Sequence, residues 1–339
     1  MTALAPAPPA ATRLPSSPPR LTRWLLRLHR PALYVWAGLV IVLSAALLWL
    51  GGPLTEASAA AWQQYNACGG APTCTYDQPA ILRYKEVYSV TTFAVVAVPF
   101  LVAAWAGATL TSRELETGTA QLTWAQSVSP VRWLAAHLAV PAVLVTVGTG
   151  LLVALHHLAW SAGRGRIDTA KSWSDFPTFY SGGPLTVALA LVGLVVGVLV
   201  GLLWRRSLPT LVTSVAATTG VIGIVHTALP HLWPSVTQVS SRTQGAPSGT
   251  GLAVQQGILT STGARLSDPY CGGDVFPDCR ATYDSLDAVG YFREYHPFSH
   301  YWPLQLTAAA LTLTLVTLLV FAAFRVLKLR IGGTPRAGA

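Results

Sequence analysis

Long apolar runs joined by polar segments set the first reading of this chain. Six runs, at 33–52, 88–110, 133–158, 184–204, 208–229 and 303–324, contain no Asp, Glu, Lys or Arg. About 20 helical residues are needed to cross the hydrocarbon core of a bilayer, and each run reaches that length. Inside lipid a backbone must satisfy its own hydrogen bonds, so only helices and closed barrels span. The two-residue alternation of barrel strands is absent from the runs. The pattern predicts an all-α polytopic membrane protein, with six transmembrane helices forming one domain over 33–329.

Composition and charge sharpen this. Of 339 residues, 52% are hydrophobic and 10% charged, where a soluble chain carries about 25% charged. A soluble enzyme is excluded on that ground. The net charge of +9 could point to nucleic acid, but its distribution points to topology. With both termini cytoplasmic, the inner segments hold thirteen of the 22 basic residues and two of the 13 acids. Short cytoplasmic connections keep Lys and Arg because these resist translocation. No nucleic-acid partner follows; lipid is the expected surroundings, and a bacterial cell membrane the expected location.

The ends and connections divide further. Residues 1–32 read as a Pro/Ala-rich, disordered cytoplasmic segment, whose part 21–30 alternates Arg with Leu and Trp as an amphipathic surface helix does. Residues 330–339 read as a cytoplasmic tail. Ala57-Ser58-Ala59 resembles a signal cleavage site, but the run before it exceeds the 7–15 residues of a signal core. Two external segments, 53–87 and 230–302, contain all four cysteines. Four cysteines allow three pairings; Cys68–Cys74 and Cys271–Cys279 are the simplest. The second segment is too long for a plain connector. Its aromatic end (Tyr291, Phe292, Tyr295, Phe298, Tyr301, Trp302) predicts a small cap resting on the membrane interface.

Candidate chemistry is sparse. There is no His-Glu-x-x-His, no Gly-x-Ser-x-Gly and no phosphate loop ending in Lys-Ser/Thr, so the chain offers no ATP site, catalytic residue, cofactor site or metal site by motif. His156/His157 and His296/His300 are histidine pairs, the second spaced to share one helix face, but neither brings further ligands. The enzyme reading must find its acid and base among Asp268, Asp274, Asp278 and the histidines, where no spacing stands out. Ion-coupled transporters bury titratable groups along their pathway; here the runs contain only His137, His156, His157 and His226, all towards run ends. Gly193, Gly197 and Gly201 recur every four residues, as at close helix contacts. Thr210, Ser214 and Thr218 share one face of the fifth run and could border a translocation path, or bond to their own helix carbonyls.

The connection 112–132 is the most specific segment. It reads as a short amphipathic helix at the membrane surface: Leu115, Leu122 and Trp124 supply apolar contacts, and Gly118 permits a bend. Arg113, Glu114 and Glu116 form a charged face, and Ser129-Pro130 ends the element. Arg113-Glu114, Glu116-Thr117-Gly118-Thr119, the turn Ser127–Pro130 and then Arg132 resemble the coupling-helix region of ABC-2 type transporter permeases. One departure is Ala136-His137, where many such permeases place Gly-Lys. The resemblance implies a membrane-spanning subunit that exports a hydrophobic or amphipathic substrate. ATP and Mg would be bound by separate ATPase subunits, and a second permease subunit, identical or related, would complete the assembly. It places Arg113, Glu114, Glu116, Gly118, Thr119 and Leu122 at the ATPase contact. A membrane-embedded sensor or assembly protein, binding a ligand through its external loop, is the alternative.

Overall fold

The computed structural model describes residues 21–69, 73–125, 128–269 and 277–332. Six of its helices are long and apolar enough to cross a membrane: Arg30–Ala67, Gln78–Glu116, Pro130–Gly163, Pro184–Trp204, Ser207–His231 and Phe298–Ile331. These first to sixth spans contain the six apolar runs in order. A helix Leu21–Leu28 precedes them, with Leu25 buried and Leu26, Arg27 and Leu28 exposed. Residues 1–20 and 333–339 lie outside the described residues.

The helices outrun their apolar cores. Most of 53–87, expected as an external connection, continues the first span through Thr55–Ala67 and begins the second at Gln78. The Ala-rich sequence after Pro53 favours helix, and Asp77 caps the second span by accepting from the Ala80 N–H at 3.1 Å. Pro53 brings no backbone N–H, and the helix absorbs it in a π turn, Leu50–Leu54. The Thr55 hydroxyl donates to the Leu50 carbonyl at 2.7 Å there.

The fourth span is the centre of the bundle, buried along most of its length. The second and sixth spans are among those packed on it. Its glycines let the second span's backbone approach. A Cβ built at Gly193 meets the Pro99 carbonyl oxygen at 2.5 Å, and one at Gly197 meets the Gly107 nitrogen at 2.7 Å. The second span answers with its own π turn, Ala106–Leu110. Gly107 in that turn faces Ser214 and Thr210 of the fifth span, so spans two, four and five meet around it.

At the face away from Leu21 and the sixth span's end, polar contacts join the spans. Arg166 donates to both Glu56 oxygens at 3.0 and 2.7 Å, Asn66 donates to Asp168 at 3.1 Å, and Cys68 and Cys74 form a disulfide. Buried His156 shares a 2.8 Å hydrogen bond with Thr92 and contacts Ser181. Tyr88 pairs with Thr178 at 2.8 Å. Gln305 donates to the Phe179 carbonyl at 2.7 Å.

Within the segment 230–302 the described residues fold around a sheet that no alternation had revealed. Strands β1 (Val236–Ser241), β2 (Leu252–Thr260), β3 (Arg265–Ser267) and β4 (Ala288–His296) pair antiparallel in the order β1-β4-β2-β3. Ile258, Tyr283, Ala288 and Tyr291 fill its core beside Cys279. Cys271 and Asp274 lie outside the described residues, and the Cys271–Cys279 pairing with them. Of the aromatic end, Tyr291, Phe292 and Tyr301 are buried within the protein, while Phe298 and Trp302 stay exposed. His296 ends β4 and His300 sits in a 3₁₀ turn, so that pair does not share a helix face. Its Nδ1 atoms lie 3.2 Å apart, and His296 Nε2 is 2.9 Å from the Pro230 carbonyl.

Two measurements test this packing. Gly197→Leu is expected to destabilise the purified protein by about 1–3 kcal/mol through overpacking. Gly220→Ala, where an added Cβ meets nothing within 4 Å, is expected to melt as the wild type does. Mass spectrometry without reductant should recover Cys68 joined to Cys74.

Candidate coupling site

The connection between the second and third spans is two short helices, Ser112–Glu116 and Thr119–Ala125, rather than one. Gly118 separates them at φ +74, a left-handed conformation that costs an L-residue about 1–2 kcal/mol. Its carbonyl then accepts from the Gln121 N–H at 3.1 Å, starting the second helix. Thr117 and Thr119 close the corner, donating to the Arg113 and Glu114 carbonyls at 2.9 and 3.2 Å. Ser129 and Pro130 start the third span instead of ending the connection: Ser129 caps it by accepting from the Arg132 N–H at 3.4 Å, and Pro130 occupies the first turn. Gln126 and Ser127 lie outside the described residues.

The helical turn splits the expected charged face. Arg113 and Glu116 are exposed, but Glu114 is buried between them in sequence and turned into the bundle. The reason is periodicity: with Thr111 and Ser112 packed under the fourth span near Gly201, the next inward position is Glu114. Trp133 Nε1–H donates to Glu114 Oε2 at 3.0 Å, and His137 Nε2 lies 3.2 Å from Oε1. His137 is fully buried, with its ring 4.4 Å from that of Trp133. A carboxylate withdrawn from water needs such partners, because each unmet lone pair carries its desolvation cost.

Glu116 turns the other way and stays within the chain. Its Oε2 accepts from the Ser207 N–H at 3.1 Å and from the Ser207 hydroxyl at 2.6 Å. Ser207 opens the fifth span, where the unsatisfied N–H groups and the helix dipole favour an anion. No side chain at the Arg206 cap position does this task.

His29, between the helix Leu21–Leu28 and the first span, completes the neighbourhood. Its ring packs edge-on to Trp105 at 5.9 Å and borders an apolar cavity of about 370 Å³ shared with Leu25, Trp36 and Leu144. Burial, chiefly, and then the neighbouring His137 hold its pKa below the ordinary histidine value, against the opposing pull of Glu114.

The expected residues therefore fall into distinct places. Arg113, Thr119 and Leu122 are on the outside, Leu122 at 64% exposure. Glu114 faces the bundle, Glu116 the fifth span, and Gly118 the corner. Thr210, Ser214 and Thr218 are buried, and each hydroxyl donates to the carbonyl four residues back; Thr210 and Ser214 pack against Gly107. The sequence reading missed His29, Trp133 and Ser207, and gave His137 as a departure from the family pattern and as one of four histidines within the runs, without a partner. A histidine inside an apolar run was the available signal.

A family model described as ABC-2 membrane transporter related matches residues 37–230, more than half of the chain. It ends where the sheet-bearing segment begins. No curated protein and no solved structure matches the chain.

Removing one donor from Glu114 tests the buried network. Trp133→Phe is expected to cost about 1–3 kcal/mol for the unsatisfied acceptor. His137→Leu should cost more, about 3–5 kcal/mol, because it strands a buried charge. Thermal and denaturant melting of both variants in detergent reads the order.

Proposed function

The chain belongs to the ABC-2 membrane transporter related family, and from that premise we propose that it is the permease of an ATP-driven exporter of hydrophobic or amphipathic molecules. Separate ATPase subunits bind ATP with Mg and dock on the segment 113–126. A second permease, a copy or a close relative, completes the assembly in a bacterial cell membrane, with both termini cytoplasmic.

One observation carries this reading: the exposed connection grips three spans from beneath. Ser112 donates to the Gly107 carbonyl in the second span's π turn at 2.6 Å. Glu114 is held by Trp133 and His137 of the third span, and Glu116 by Ser207 of the fifth. A displacement of Ser112–Glu116 therefore loads all three spans at once. Arg113, Gln121 and Leu122 remain outward, which leaves a charged and apolar surface for a partner. Coupling of this kind is a two-state rearrangement biased by a ligand on the other subunit.

Glu116 accordingly has an internal task, and its replacement combines capping with coupling. Leu122 separates the two. Leu122→Glu is expected to insert and melt normally, yet to lose most ATPase copurification and ATP-dependent transport; normal values for both would remove the docking assignment. Orientation has its own test. In intact cells a cysteine at Gln121 should resist an impermeant thiol reagent while one at Gly249 reacts, and the reverse pattern would invert the topology.

A further inference from the structure

The buried group beneath the connection has one positive charge too few. His137 Nδ1 lies 2.9 Å from the Trp133 carbonyl oxygen, which can only accept, so the proton of a neutral imidazole belongs on Nδ1. Nε2 then presents a lone pair to Glu114 Oε1 at 3.2 Å, a second acceptor. Two acceptors at that distance require a positive centre between them. His29 Nε2 is buried beside them with no hydrogen-bond partner. One ligand atom from each of His29, Glu114 and His137 lies within 4.8 Å of the others.

The surroundings have the character of a ligand site's outer shell. Metal-binding histidines usually donate their second ring N–H to a carbonyl or carboxylate, and ligating carboxylates are themselves hydrogen-bonded. His137 does the first through the Trp133 carbonyl, and Glu114 the second through Trp133 Nε1–H. Two imidazole nitrogens and one carboxylate oxygen suit Zn²⁺, with a fourth position left for water, whereas Ca²⁺ and Mg²⁺ favour all-oxygen sites.

We propose that His29, Glu114 and His137 form a binding site for a divalent transition-metal ion, Zn²⁺ foremost, where the helix Leu21–Leu28, the connection and the third span meet. Tetrahedral Zn²⁺ holds its nitrogen and oxygen ligands about 3.3 Å apart, and the Glu114–His137 pair already stands at 3.2 Å. The remaining separations close through His29, which sits at the joint between two helices with φ −97 and ψ 19. Metal ions bind the deprotonated forms of such ligands, so binding weakens as pH falls. The filled site would pin the amphipathic helix to the helix Ser112–Glu116, whatever the chain transports.

The test uses the purified full-length chain, stripped of metal and titrated with Zn²⁺. The wild type is expected to bind one equivalent and to melt at a higher temperature with it. His29→Gln is the informative variant, because it removes a ligand but no hydrogen bond of the metal-free chain. It should melt as the wild type does without metal and bind Zn²⁺ roughly 100-fold more weakly or worse. His300→Gln, in the other histidine pair, should bind as the wild type does. Co²⁺ gives a readout that needs no variant: the strong visible bands of a four-coordinate ion are expected. No equivalent of Zn²⁺ bound at micromolar concentration, unchanged affinity in His29→Gln, or only the weak bands of six-coordinate Co²⁺ would each overturn the site.

Discussion

Along Gly193, Gly197 and Gly201 the fourth span has no side chains to keep its neighbour away, and the second span lies against it backbone to backbone. In lipid, burial of apolar side chains drives helix association weakly, because the tails are as apolar as leucine. Close van der Waals contact between smooth faces takes its place. That contact decides the rest of the bundle. It makes the shortest, least polar span the buried one, distributes the others around it, and brings the second span's π turn under the fifth. Thr111 and Ser112, pressed under Gly201, set the rotation of the helical turn that follows, and with it the inward aim of Glu114.

Many of the side-chain hydrogen bonds that join one span to another cluster at two levels of the bundle, one at each end. At one level Glu114, Trp133 and His137 join the second and third spans; at the other His156, Thr92, Ser181, Tyr88, Thr178 and Gln305 join the second, third, fourth and sixth, partly through the short helix Phe176–Ser181. Between them the contacts are mostly apolar, whereas hydrogen bonds have discrete partners. Rearrangement of such a bundle exchanges partners at the two levels.

Periodicity and length carried the spans, because a run without charge has one stable disposition in lipid. The glycine spacing in the fourth span carried its packing role, and the six-residue separation of Cys68 and Cys74 their pairing. The direction of Glu114 was not legible: it depends on the π turn five residues earlier, and a π turn rotates everything after it by an amount no spacing rule contains. The Glu116–Ser207 contact joins positions 91 residues apart, so nothing local announced it. The sheet escaped for another reason. Its strands carry apolar residues on a small core, and β1 is exposed at five of its six positions, so the inside-outside alternation that marks a strand is weak.

The first span also acts by its length. At 38 residues it extends about 57 Å as a helix, nearly twice the hydrocarbon thickness of about 30 Å. A rod of that length is a lever: a tilt of about 10° moves its far end by about 10 Å, by the same geometry. The Cys68–Cys74 bond ties that end to the segment leading into the second span, and the exposed Glu56–Arg166 pair links it to the residues that follow the third. A swing of the first span therefore pulls on the outer parts of the second and third, and the three helices leave the membrane as one linked arm.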